Sequence, residues 1–219
     1  MLPQSIPCRL TPSSRWHRLV AALGLSVSLM VAGNTLREQP AEAQLMSANP
    51  NQNNSAAALW SSASFPVENF QAYTSPFGYR SAISGGGSEF HSGLDMAAPE
   101  GSYIRNWWTG EVVDVSDSGN CGTSISIRSG GWTHTYCHMS GGVEFAGDVA
   151  YLVDRGGGIQ IRVGQIIPTG ARIGRVGMTG RTTGPHLHWT LKFDGELIDP
   201  ARVLRAMYSA QQIARGSGG

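Results

Sequence analysis

His186-Leu187-His188-Trp189-Thr190-Leu191-Lys192-Phe193 alternates polar and apolar residues without a break. On a strand successive side chains point to opposite faces, so His186, His188, Thr190 and Lys192 share one side and Leu187, Trp189, Leu191 and Phe193 the other. The segment reads as a half-buried strand whose two imidazoles lie about 7 Å apart along one face. Both can reach a single metal site. An H-x-H pair alone is a moderate signal, since a polar strand face with two unrelated histidines has the same pattern.

Outward from this strand, E-V-V-D-V (111–115), S-I-S-I (124–127), V-A-Y-L-V (149–153), I-Q-I-R-V (159–163) and A-R-I-G-R-V (171–176) are further short β-type runs. Their close, turn-marked spacing predicts an all-β domain, and the 29 glycines suit tight turns and bends in a curved sheet. Only Pro200–Ile213 reads as a helix. Residues 141–158, where V-A-Y-L-V and I-Q-I-R-V flank D-R-G-G-G, read as an added hairpin.

The first part of the chain has a different character. Arg15 and Arg18 precede an apolar run from Leu19 to Ala32 that is short for a membrane span, and Ala41-Glu42-Ala43 fits a small-residue cleavage site. We therefore expect residues 1–43 to be an export signal, 44–64 a polar flexible linker, 65–203 the folded domain and 204–219 a C-terminal tail. The expected location is the periplasm, cell envelope or extracellular space, with no stable membrane insertion after cleavage. Without Arg9, Arg15, Arg18, Arg37, Glu38 and Glu42, 12 basic residues face 13 acidic ones. That balance, with no basic run, excludes a nucleic-acid partner.

Cys8 leaves with the signal, and Cys121 and Cys137 remain. A turn centred on Ser129-Gly130-Gly131 sets these two opposite each other across a hairpin and predicts a disulfide in an oxidising compartment. Trp132–His138 also alternates, placing His134, Tyr136 and His138 on one face and Thr133, Thr135 and Cys137 on the other. On that reading a Cys137/His138 nucleophilic dyad is excluded, because adjacent strand residues face apart. His134 reads as a packing or rim residue and Trp107-Trp108 as a packing pair. His91 and Asp95, four apart around Ser92-Gly93, offer an imidazole and a carboxylate suited to zinc, though the pair is weak alone. No Gly-rich phosphate loop, G-x-S-x-G or H-E-x-x-H occurs.

Taken in order, S-P-F-G-Y-R (75–80), F-H-S-G-L-D (90–95), Y-C-H-M-S (136–140) and G-M-T-G-R-T-T-G-P-H-L-H (177–188) resemble the lysostaphin/LytM-type zinc peptidases, from about Phe65 to Val203. The resemblance implies a compact antiparallel β-sandwich with a groove (a duplicated hybrid motif), a short C-terminal helix, one Zn2+ per chain and hydrolysis of peptide bonds in bacterial cell-wall peptidoglycan. It implies His91, Asp95 and His188 as zinc ligands with water in the fourth position. His186 would then be the general base, and His138 would polarise the scissile carbonyl; these two roles are exchangeable at this stage. A monomer is expected. The rival reading is a metal-free relative that activates a separate cell-wall amidase.

Overall fold

The computed structural model describes residues 61–82 and 85–216. The expected signal and all but the end of the expected linker lie outside these. The described strands are β1 (Ala72–Ser75), β2 (Gly78–Ser81), β3 (Ser88–His91), β4 (Leu94–Ala97), β5 (Tyr103–Arg105), β6 (Gly110–Ser118), β7 (Gly122–Ser129) and β8 (Trp132–Cys137). After them come β9 (Gly142–Ala146), β10 (Val149–Asp154), a 3-10 turn (Arg155–Gly157), β11 (Ile159–Arg162), β12 (Ile166–Ile167), β13 (Arg172–Arg175), β14 (His186–Phe193) and β15 (Glu196–Ile198), and an α-helix, Pro200–Gly216, closes the order.

The alternating segment is β14, and it lies inside the largest sheet, in the order β1-β4-β14-β8-β7-β6-β12, with β15 also paired to β14. Every pairing among the described residues is antiparallel. The two faces of β14 part as the alternation requires: Leu187, Trp189 and Leu191 are fully buried, while His186, His188 and Thr190 are half-buried. Burying each such apolar side chain stabilises the fold by roughly 1.5–3 kcal/mol. The β5–β13 pair, the β9–β10–β11 sheet and the helix contribute Ile104, Ile173, Leu152, Ile161 and Val203 to the same core, covering the apolar face of the large sheet. Trp107 is a packing residue, as expected, 1% exposed and edge-on to Trp132 and Trp189.

The segment expected as a hairpin has one strand more. β10 and β11 pair as read, but β9 adds to the other edge of β10. The run G-V-E-F-A escapes a pattern reading because most of its residues are exposed and none is buried. Asp154, at the end of β10, makes a two-pronged ion pair with Arg175 of β13, 2.7 Å at each contact, and so ties this sheet to the body. Arg175 holds the Asp154 carboxyl below its usual range against the opposing effect of burial.

The helix begins as its sequence suggests, with Pro200 in the first turn and the Asp199 carboxylate accepting from Ala201 N–H at 2.9 Å. It runs past Val203, where the domain was expected to end, and buries Leu204, Met207 and Ala210. Cys121 and Cys137 form a disulfide. They are not cross-strand partners, however, because the β7–β8 register pairs Ile125 with Tyr136 and Cys121 precedes β7. Left-handed Gly122 (φ +63) turns the chain so that the Cys121 carbonyl accepts from His138 N–H at 2.9 Å. A Cβ at Gly122 would lie 2.4 Å from Gly180 N and from the Thr179 carbonyl carbon, so only glycine fits.

Candidate functional site

Three neighbouring strands bring the candidate residues together. On β14, His188 pairs with Asp95 of β4 on one side and with Cys137 of β8 on the other. Directly opposed residues in an antiparallel pair project to the same face, so Asp95, His188 and Cys137 form one row across the sheet. His91, the last residue of β3, enters the same space from the side. A Cβ on Gly93 would come within 2.7 Å of the His188 ring and of the Trp189 carbonyl, so the H-S-G-L-D turn needs its glycine for this approach.

Within this row, His91 Nε2, Asp95 Oδ1 and His188 Nδ1 form a triangle with sides of 3.0, 2.9 and 2.8 Å. Each ring's other nitrogen has an oxygen partner. His91 Nδ1–H donates to the Pro76 carbonyl at 2.7 Å, and His188 Nε2 lies 3.1 Å from Thr190 Oγ1, an acceptor for its proton. That arrangement turns a lone pair from each imidazole toward the same point as a carboxylate oxygen, which is what a cation requires of its ligands. The spacing is slightly tighter than the roughly 3.3 Å between ligands in tetrahedral zinc with bonds of about 2.0–2.1 Å, so a small outward relaxation admits the ion. Among the described residues this is the one cluster of His, Cys, Asp and Glu with metal-ligating geometry.

His186 and His138 flank the triangle, their rings 4.9 Å apart. His186 Nδ1–H donates to the Gly184 carbonyl at 2.8 Å and His138 Nδ1–H to the Thr179 carbonyl at 2.9 Å. Both therefore present Nε2 to the groove, and His186 Nε2 stands 3.5 Å from Asp95 Oδ1.

His138 reaches the groove by a route that alternation did not foresee. The register places Cys137 and Thr135 on the groove face with His188 and Thr190, and His134 and Tyr136 on the core face with Leu191 and Trp189. Alternation would send His138 into the core as well. β8 ends at Cys137, however, and His138 is left-handed (φ 61), which turns its side chain back to the groove. Cys137 and His138 consequently both line the groove. The thiol dyad is excluded by the disulfide, not by orientation.

The groove encloses about 690 Å³. Burial would raise the Asp95 carboxyl, but the His186, His188 and His91 rings against it outweigh burial and hold the group far below the usual range. Arg80 adds a contact to Asp95 Oδ2 at 3.3 Å and is itself held by Glu89 and by the Ser75 hydroxyl. Burial, reinforced by the neighbouring His186 and His188, pushes His138 down to about 4 despite its bond to Thr179. His186 moves the other way, because its bonds to Asp95 and to the Gly184 carbonyl outweigh its burial.

The model of peptidase family M23 matches residues 89–200, which include all five site residues. The chain belongs to peptidase family M23. This M23 chain is 34% identical over 131 residues to the DD-carboxypeptidase/endopeptidase Mpg of Neisseria meningitidis serogroup B, covering 59% of this chain and 26% of that protein. It is 31% identical over 121 residues to the peptidoglycan DD-endopeptidase ShyA of Vibrio cholerae, with 55% and 24% covered. The chain thus spans about a quarter of the length of these curated relatives. Among solved structures it is similar to a zinc-containing peptidase from Vibrio cholerae, with a TM-score of 0.50 and 27% identity over 65% of this chain and 38% of that one. The resemblance read from the motifs and the antiparallel β fold it implied both hold for this M23 chain.

The sequence motifs left the supporting partners of the M23 site unassigned. Arg80 lies in the quoted S-P-F-G-Y-R but received no role. Thr190 was legible in principle, sharing the groove face with His188 by alternation. Thr179 and Gly184 act through backbone carbonyls, which leave no side-chain signature.

Proposed function

We propose that this M23 chain is a zinc-dependent endopeptidase that hydrolyses peptide bonds in bacterial cell-wall peptidoglycan, acting as an exported monomer. The observation that carries the reading is the triangle of His91 Nε2, Asp95 Oδ1 and His188 Nδ1, with the far nitrogen of each ring already bonded to an oxygen. His91, Asp95 and His188 would hold the ion, and a zinc ion bound there supplies a Lewis acid that acidifies water and polarises a carbonyl oxygen. The peptidoglycan substrate is supported by similarity to Mpg and ShyA, and export by the Cys121–Cys137 disulfide, a bond that persists in oxidising compartments.

The chain's own groups divide the proton work. His186, anchored through Nδ1–H on Gly184, offers its Nε2 lone pair to the attacking water as general base. His138, anchored in the same way on Thr179, faces His186 across the groove; neutral at rest, it takes a proton from solvent at Nε2 as negative charge develops on the scissile oxygen, and donates it as a hydrogen bond to that oxygen. Arg80 orients Asp95 through its contact to Oδ2.

The test is metal analysis beside digestion of purified peptidoglycan. About one zinc per chain, loss of cleavage on chelation, and loss of cleavage with zinc retained in His186→Ala are expected, whereas His188→Ala loses the metal. A metal-free fold, or cleavage that survives both chelation and His186→Ala, overturns the proposal. A metal-free chain that stimulates a cell-wall amidase would establish the rival role.

A further inference from the structure

β14 extends the groove face beyond its histidines. Thr190 and Lys192 lie two and four residues past His188 and pair with Thr135 and Thr133 of β8; Thr135, Thr190 and Lys192 all line the groove. Thr190 Oγ1 accepts from His188 Nε2 at 3.1 Å, which leaves its own hydroxyl proton to donate elsewhere. Three cations line the groove, and two are already engaged: Arg80 by Glu89 and Asp95, and Arg181 by Glu89. Among the described residues no carboxylate lies within ion-pair distance of Lys192. Arg80, Arg181 and Lys192 against Glu89 and Asp95 leave the lining cationic before any metal is counted, on a chain of formal net charge only +1. This end of the groove therefore offers hydrogen-bond donors and positive charge, and what satisfies both is an anionic acceptor.

We infer that Thr190 and Lys192 form a subsite for a carboxylate of the peptide substrate, about 13 Å along β14 from His188. Extended peptide advances about 3.3–3.6 Å per residue, which puts the carboxylate about three to four residues from the scissile bond. The inference rests on the peptidase reading of the site. The carboxylate belongs either to a side chain or to the free end of the peptide, and the test separates the two.

Soluble peptides released from peptidoglycan are titrated calorimetrically into the zinc-loaded chain in three forms: native, amidated at the terminal carboxylate only, and amidated at side-chain carboxylates only. His186→Ala serves as the background, so that turnover does not distort the titration. Native peptide should bind about tenfold more tightly than one of the amidated forms, and the preference should shrink as salt is raised. The amidation that weakens binding identifies the source of the carboxylate. Adding Lys192→Ala should erase the preference, Lys192→Glu should reverse it, and Lys192→Arg should keep most of it; a general loss of structure would not reverse a preference. Equal binding of all three forms, unchanged discrimination in Lys192→Ala, or no binding at all overturns the subsite. Peptides that bind with this preference but remain uncut by the wild-type chain overturn the peptidase reading instead.

Discussion

His134 and His138 lie four residues apart on one stretch of chain, and both are buried, yet they inhabit different chemical worlds. His134 is fully buried on the core face of β8, its Nδ1 2.9 Å from the Tyr136 hydroxyl and its Nε2 2.9 Å from Ser129 Oγ. The Tyr136 oxygen in turn accepts from Trp107 N–H at 2.8 Å. Burial pushes His134 down to about 3, so it is a neutral link in a closed hydrogen-bond chain. His138 stands past the end of the strand, bonded to a loop carbonyl and facing another histidine across the groove. The difference teaches that alternation assigns faces only while the strand lasts. One left-handed residue moves a side chain from the core to the groove.

The largest effect expected from this contrast is on catalysis. In the proposed peptidase, His138→Ala should lower kcat by about 10²–10⁴-fold while zinc content stays the same, as steady-state digestion beside metal analysis would show. If His134→Ala abolished turnover and His138→Ala did not, the comparison would be inverted. His134→Ala should instead leave turnover within a few-fold and lower stability by about 3 kcal/mol in denaturant unfolding, because it opens a cavity and takes one hydrogen-bond partner from each of the Ser129 and Tyr136 hydroxyls.

A smaller, pH-dependent effect follows from the same residue. The His134 value near 3 lies below the roughly 6.5 of an unfolded histidine, so between these pH values the unfolded chain binds the additional proton. Its contribution to stability is complete above about pH 6.5 and declines as pH falls toward 3, by up to about 1.4 kcal/mol per pH unit. His134→Gln should flatten that part of the acid limb, measured as unfolding free energy against pH; an unchanged slope would mean that the imidazole is not held neutral. The smallest effect concerns backbone strain. His138→Gly removes the side chain from a left-handed position and should raise stability by up to about 1 kcal/mol even as activity disappears.

How much of this was legible in the sequence depended on whether the signal was local. β14 gave its faces away because eight residues alternate without exception. The β10–β11 pair was visible because two apolar, β-branched runs flank D-R-G-G-G, whereas mostly exposed β9 was not. The triangle joins His91 and Asp95 to a residue more than ninety positions away through the β4–β14 pairing, and no local pattern encodes such a pairing. Only the order of four motifs, matched to a family, brought those residues together on paper. The reversal at His138 was illegible because a histidine carries no sign of its own φ. The disulfide was anticipated, but its register was not, since Gly122 displaces Cys121 from the hairpin ladder.

The row across β4, β14 and β8 also sets the order in which the molecule fails on heating. β14 is hydrogen-bonded along both edges, so the amides that carry Asp95 and His188 exchange with solvent only when the large sheet opens as a whole. His138 and His186 are aimed by Thr179 and Gly184, which lie in loops whose local openings are far less costly. Warming therefore disperses the His138 and His186 rings while the His91–Asp95–His188 triangle is still assembled. In the proposed peptidase, a sample at that stage is inert but still grips its cation, and it regains its chemistry on cooling without refolding.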